Sequence, residues 1–342
     1  MAKEIKLSDI AKRLGVSTVT VSRALAGKSG VSNKKRDEIK QIADEIGYKR
    51  VNDNRDNVKK DKGTIGVIIA ARYLYGTNSF YWAIYQEIVK FLAKKNLYGM
   101  LEILLAEDEE RCSIPKMIYD NKVDGVIIIG QLSSKYSKFI FNLDYCPNMF
   151  LDFYDSENNY DSIISDGFYG MYRMINYLFK KGHRDIAFIG TPFTTSSITD
   201  RYFGYCKALQ EKGIKVKEEW KIDDRDFEGA VFREYDFPDK MPTAIACNCD
   251  YTAKFVIDDL RKKGFSIPED VSVVGFDNFI ASDYSNIGIT TYSVPMEKMA
   301  EKCVETIIKK INKEEYQKGI QIITGEIIEK DTVKDINKNS SR

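Results

Sequence analysis

At 342 residues, 43% of them hydrophobic and 12% aromatic, the chain exceeds one compact core and suits two or three domains. No run approaches the roughly 18 apolar residues of a membrane span. The opening MAKEIKLSDI lacks the apolar stretch of an export signal, and six scattered cysteines form no disulfide framework, which points to reduced thiols in a cytoplasm. The net charge of +1 hides an asymmetry: residues 1–62 hold 16 Lys+Arg against 9 Asp+Glu, and the other 280 hold 36 against 42. A basic head on an acidic body predicts a polyanionic partner for the head.

The head reads as three short helices. Ser8 is placed to cap the first, with Ile10, Ala11 and Leu14 at helical spacing and Gly15 as its stop. Ser17 is placed to cap the second, with Val21 and Leu25 on one face, and Ser32 to cap the third, with Ile39, Ile42, Ala43 and Ile46 inside and Gly47 at its end. The first two helices leave room only for a tight turn, the arrangement of a helix-turn-helix. In that unit the N-terminal residues of the second helix meet base edges in the major groove. Thr18, Val19 and Arg23 then face the bases, with Arg23 suited to guanine O6 and N7 and Val19 to a thymine methyl. Ser17, Thr20, Ser22 and Ser32 supply short donors for phosphate oxygens and the helix starts. A small helical bundle without a ligand is the competing reading, and the charge excess disfavours it.

The stretch IKLSDIAKRLGVSTVTVSRALAGKSGVSNKKRDEIKQIADEIGY resembles the DNA-binding domain of the lactose repressor (LacI/GalR) family nearly position by position. The resemblance implies a hinge after residue 48 that folds on operator DNA and wedges leucines into the minor groove. This chain departs there: Arg50 and Val51 replace the usual Pro-Asn, and Asn54 and Asn57 replace the alanine and the wedge leucine. An Asn/Asp-rich segment is a poor helix former, and a polar side chain is a poor wedge. Val58 could serve only in a shifted register.

From residue 64 the chain alternates strand-like runs (TIGVIIA, GMLEILLA, DGVIIIG, NMFLDFY, DIAFIG, TAIACN, VSVVGFD) with helix-like runs at 80–95, 167–181, 196–212, 250–263 and 296–311. That pattern predicts α/β architecture with parallel sheets covered on both faces. About 270 residues call for two lobes, with ligand between them at the carboxyl ends of strands. The expected domains are 1–48, helix-turn-helix; 49–63, hinge; 64–335, two-lobed effector-binding and dimerisation body; and 336–342, a disordered tail. The family resemblance extends through KKGHRDIAFIG, TDRYFGY, VSVVGFDN and ITTYSVPMEKMA to about Val333, and implies a body similar to a periplasmic sugar-binding protein.

What the resemblance implies for the pocket is carried residue by residue. Arg201 matches the arginine that binds effector hydroxyls or a carboxylate, and Asp277 the aspartate that accepts sugar hydroxyls. Phe80 and Tyr81 follow the first strand and could stack on a sugar ring, while Asp166 and Phe227 are secondary candidates. Cys249 stands at the position of a family asparagine in CNCD, and Asp250 keeps its place. A metal site at Cys247 and Cys249 is set aside, because the chain has one histidine and these thiols alternate along a strand end. His183 suits a structural hydrogen bond better than a general base, and no G-x-S-x-G, P-loop or H-E-x-x-H is present. The sequence therefore predicts no enzyme, no cofactor and no metal. It predicts a homodimeric transcriptional regulator, a repressor, that binds operator duplex and a sugar-like effector and has no membrane partner. The alternative is a soluble sugar-binding module without a transcriptional role. The tail KDINKNSSR lacks a leucine heptad, so no tetramerising bundle is expected.

Overall fold

Apolar side chains at helical spacing build the head. In the computed structural model, which describes residues 7–25, 30–46, 48, 63–74, 79–143, 145–154, 160–226, 229–279 and 288–339, the head comprises α1 (Leu7–Leu14), α2 (Thr18–Leu25) and α3 (Asn33–Glu45). Ile10, Val21, Ala24 and Ile39 are fully buried among them. Gly15, at φ +62°, ends α1 in the left-handed conformation that glycine adopts without strain. The Ser17 Oγ accepts from the Thr20 amide at 3.0 Å and the Ser32 Oγ from the Lys35 amide at 3.3 Å, so both expected caps form. Ser8 is not a cap: α1 already includes Leu7, and its serine lies inside the first turn. The expected hinge, with Arg50, Val51, Asn54, Asn57 and Val58, lies outside the described residues, as does Gly47.

The body runs β1 (Thr64–Ala70), a 3₁₀ turn (Ala71–Tyr73), α4 (Phe80–Lys94), β2 (Tyr98–Leu104), α5 (Ala106–Arg111), α6 (Lys116–Tyr119), β3 (Gly125–Ile129), α7 (Ser134–Phe141), β4 (Asn148–Leu151) and β5 (Ser162–Ser165). It continues with α8 (Gly167–Lys180), β6 (Ile186–Ile189), α9 (Ser196–Glu211), β7 (Lys221–Ile222), β8 (Ala244–Cys247), α10 (Asp250–Lys262), β9 (Ser272–Asp277), β10 (Thr290–Ser293), α11 (Met296–Asn312), β11 (Ile320–Ile323) and β12 (Glu326–Ile328).

These strands form two six-stranded sheets, ordered β11-β5-β4-β3-β1-β2 and β12-β10-β9-β8-β6-β7. Every pairing is parallel except β10 with β12. Parallel strands need helical crossovers, and the helices cover both faces of each sheet, which explains why β1, β3, β5, β6, β8 and β9 are buried throughout. The chain passes between the lobes three times: from β5 to α8, from β10 to α11 and from β11 to β12. The first lobe is thus β1–β5 completed by α11 and β11; the second holds the rest.

The strongly patterned elements match the expected runs closely, while β5, β7, β10, β11, β12 and α5 to α7 were not foreseen. The expected disordered tail is corrected in part. Ile336–Asn339 forms a 3₁₀ turn, held where the Asn337 side chain donates to the Lys180 carbonyl at 2.9 Å. No described helix is long and apolar enough to cross a membrane.

Within the second lobe α8 and α9 cross closely because Gly204 has no side chain. A Cβ there would run into the Phe168 carbonyl oxygen and lie 3.0 Å from the Tyr172 amide nitrogen, both of them backbone atoms that cannot swing away. Gly204→Ala is expected to destabilise the protein by about 1–3 kcal/mol, the usual cost of overpacking. The shift of the urea midpoint at unchanged slope measures it, and an unchanged midpoint would show that the crossing is loose.

Candidate nucleic-acid interface and interlobe cleft

The head presents one face of α2 to solvent. Val21, Ala24 and Leu25 point inward, so the helical period turns Thr18, Val19, Ser22 and Arg23 outward; Arg23 is exposed and the others half-buried. Ser17 fixes the start of this helix and also pairs its hydroxyl with that of Thr20 at 2.9 Å. Ser32 is exposed at the start of α3. A rigid, basic, hydroxyl-bearing helix face of this kind fits a major groove, with side chains at base edges and helix N-termini at phosphates.

The body offers a second site where strand ends from both lobes face each other. Asp152 follows β4 and Asp277 closes β9, and both hold a left-handed backbone, φ +59° and +96°. Such conformations are costly for residues other than glycine and concentrate at functional sites. Tyr81, on α4, donates its hydroxyl to Asp152 Oδ2 at 2.9 Å, and Ser165 donates to Oδ1 at 3.4 Å. From the other lobe comes Arg201, on α9, only 6% exposed. Its Nη1 donates to the Asn248 carbonyl at 2.8 Å, its plane lies 4.3 Å from the Phe276 ring, and its Nε has no partner among the described residues.

The field around this guanidinium is strongly acidic. Burial pushes the Asp277 carboxyl up to about 7, although Arg201 opposes the shift. Burial likewise raises Asp152, again opposed by Arg201. Asp250, at the start of α10, is raised well above the carboxylate range by burial and then by the charge of Asp277. Its Oδ1 has no hydrogen-bond partner among the described residues. Asp224 behaves oppositely: burial would raise it, yet Arg225, Thr252 and Asn248 together hold it below its ordinary value. Its two oxygens accept from Thr191, Arg225, Asn248 and Thr252, with Arg225 bidentate at 3.0 and 2.7 Å. This saturated hub fixes Arg225 and Asn248, and through the Asn248 backbone it fixes the acceptor of Arg201.

The sequence-based candidates divide. Arg201, Asp277, Asp250 and Tyr81 come together, and Phe80 opens α4 with its ring 5.9 Å from Phe279 of the other lobe. Asp166 caps α8 by accepting from the Tyr169 amide at 3.1 Å. Cys249 is the cap of α10, its Sγ accepting from the Thr252 amide at 3.4 Å, and burial lifts its thiol to about 11. Phe227 lies outside the described residues. His183 makes two structural hydrogen bonds, to Thr243 Oγ1 at 3.1 Å and to the Lys334 carbonyl at 3.0 Å.

Sequence reasoning missed Asp152, Asp224, Arg225 and Gln131. Asp152 carried a readable signal, since it ends the apolar run NMFL as Asp277 ends SVVGF. The others sit in irregular segments with no periodicity. No group of three His, Cys, Asp or Glu fit to hold a metal occurs among the described residues.

Comparison with known proteins places both parts of the chain. The family described as bacterial regulatory proteins, lacI family, matches residues 6–50, and the periplasmic binding protein-like domain matches residues 175–333. The HTH-type transcriptional repressor PurR of Actinobacillus pleuropneumoniae serotype 3 (strain JL03) is 27% identical over 342 residues, covering 97% of this chain and 99% of its own. PurR of Vibrio cholerae serotype O1 (strain M66-2) is 25% identical over 337 residues, with the same coverage. The lac repressor dimer bound to operator and the anti-inducer ONPF superposes with a TM-score of 0.66 at 22% identity, over 97% of this chain and all of that one. The complex of the regulator CelR with cellobiose gives 0.67 at 19%, over 96% and 99%.

The raised carboxyl of Asp277 has a measurable consequence. Its folded pKa lies above the unfolded value, so between about pH 4 and pH 7 the native state binds a proton that the unfolded state has released. Its contribution to stability therefore falls as pH rises through that window. Asp277→Asn is expected to gain stability over the unmodified protein as pH rises from 5 to 8. Thermal unfolding of both across that range tests this, and parallel pH profiles would show that Asp277 titrates as it does in the unfolded chain.

Proposed function

Because the chain belongs to the LacI family of bacterial regulatory proteins, a family of DNA-binding transcriptional regulators with an effector-binding body, we infer that it is a repressor whose operator affinity is set by a neutral, hydroxyl-rich small molecule held between the two lobes. The alternative of a binding module with no transcriptional role does not account for residues 6–50, which match the family's DNA-binding unit.

The observation that carries this reading is the Arg201 guanidinium. It is buried, uses one of its five N–H donors on protein among the described residues, and has the carboxyls of Asp152, Asp200 and Asp277 as its charged surroundings. A buried cation in that condition calls for acceptors, and the carboxyls beside it call for donors. A hydroxyl is both. A phosphate dianion suits the cleft poorly, because it only accepts hydrogen bonds and has no donor for the carboxyls beside Arg201. Sugars meet the requirement best, and Phe80 and Tyr81 offer aromatic faces beside it.

The working unit is proposed to be a homodimer. One edge of the first-lobe sheet is β2, and there Tyr98 is 75% exposed, with Met100, Ile103 and Leu105 also in solvent. An unpaired edge with exposed apolar side chains favours a partner of the same kind. Two heads joined through their bodies read two half-sites with raised effective concentration. A reducing cytoplasm fits the six free thiols.

Two substitutions separate the sites. Arg23→Ala is expected to cost roughly 1–3 kcal/mol on the operator and less on random duplex, as loss of a base contact does. Arg201→Ala is expected to leave operator binding without effector unchanged while abolishing the thermal stabilisation that neutral sugars give the unmodified protein. Anisotropy titrations on both duplexes, with a thermal-shift panel of neutral sugars, sugar phosphates and nucleobases, check both. Equal losses on the two duplexes would make Arg23 a phosphate contact. Stabilisation that survives Arg201→Ala would move the effector site elsewhere.

A further inference from the structure

The first turn of α9 is held from across the cleft. Ser196 opens that helix, so its amide has no intrahelical acceptor. The Gln131 side chain, from the other lobe, supplies one: Oε1 accepts from the Ser196 amide at 2.8 Å, and Nε2 donates to the Thr194 carbonyl at 3.5 Å. One turn along, Tyr154 of the first lobe donates its hydroxyl to Asp200 Oδ1 at 2.6 Å. The next residue is Arg201.

Gln131 is not a casual surface contact. It follows β3, and its carbonyl accepts from Arg72 Nη2 at 2.7 Å and from the Tyr73 hydroxyl at 2.8 Å. Arg72 is itself paired with the buried Glu109 at 2.5 Å, and Glu109 also accepts from the Ser133 amide. The Gln131 backbone is therefore fixed within the first lobe, and its side-chain amide reaches into the second. Tyr154 approaches α9 from the segment after β4 that carries Asp152.

We propose that Gln131 and Tyr154 form a latch that closes the two lobes by gripping the first two turns of α9, which makes them positioning residues for effector recognition through Arg201. The proposal rests on the reading of the cleft as the effector site. Its consequence is that the closed arrangement is stabilised by protein–protein contacts and not by the effector alone. The apparent dissociation constant scales inversely with the fraction of protein in the competent state, so the latch tightens effector binding without touching the effector.

The test is amide hydrogen exchange on the full-length protein, comparing the unmodified chain with Tyr154→Phe and Gln131→Ala. Tyr154 contacts a side chain and none of the amides at 195–199, so a cooperative latch is needed for Tyr154→Phe to speed exchange there; about tenfold is expected. Gln131→Ala is expected to speed exchange at Phe80–Trp82, which faces the cleft and whose Trp82 amide is held by Ser79 rather than by Gln131. Peptides from β3 and β6 should keep their protection in both variants. Effects confined to residues touching the altered side chain, or spread evenly over both sheets, would overturn the latch. Arg201→Ala distinguishes the two readings: if it leaves effector binding intact, the cleft assignment fails while the exchange result still stands.

Discussion

A buried guanidinium with too few acceptors governs this protein. Arg201 lies on a helix of the second lobe and shares its surroundings with a carboxyl from each lobe, Asp152 and Asp277. Removing a charge from water costs several kcal/mol, and only well-placed partners offset it. Among the described residues Arg201 has one hydrogen-bond acceptor, the Asn248 carbonyl, and the face of Phe276. Parallel sheets bring strand carboxyl ends together at a crevice, and the chain crosses between the lobes three times beside it.

The polar hub under this site shows how the arrangement is kept rigid. Asp224 is saturated by donors, so its charge is stabilised, whereas Asp250 and Asp277 are driven toward neutrality. Carboxyls within one lobe are thus held in different conditions by their surroundings. The first group is scaffold; the second is available to a ligand that donates hydrogen bonds. The head works on a different principle. Its core of Ile10, Val21, Ala24 and Ile39 does no more than hold α2 at a fixed angle, and recognition rests on what that helix leaves exposed.

Much of this was legible in the residues. Strong periodicity located α4, α8, α9, α10 and α11 and most of the buried strands within a residue or two, and the helix caps Ser17 and Ser32 were read from side-chain chemistry. What escaped notice had a physical reason. The strands β5, β7, β10, β11 and β12 are two to four residues long, too short for a period to emerge, and they are defined by partners distant in sequence. Cys249, a candidate ligand contact from its position, also caps α10 through its sulfur, a role its residue type does not announce. Gln131 and Tyr154 matter because of what they meet in the other lobe, and no local pattern records that. Residues 49–62, whose polar composition departs from the family's hinge, lie outside the described residues.

The account depends on Arg201 and its neighbouring carboxyls being relieved by a ligand that both donates and accepts. Hydroxyl donation to Asp277 favours its ionised form, so binding should release protons near neutral pH. Isothermal calorimetry of the sugar that most stabilises the protein, repeated at pH 7 in buffers of different ionisation enthalpy, measures that release directly. The account predicts a net release in the unmodified protein that disappears in Asp277→Asn. Binding without proton exchange, or with the same exchange in both, would contradict it.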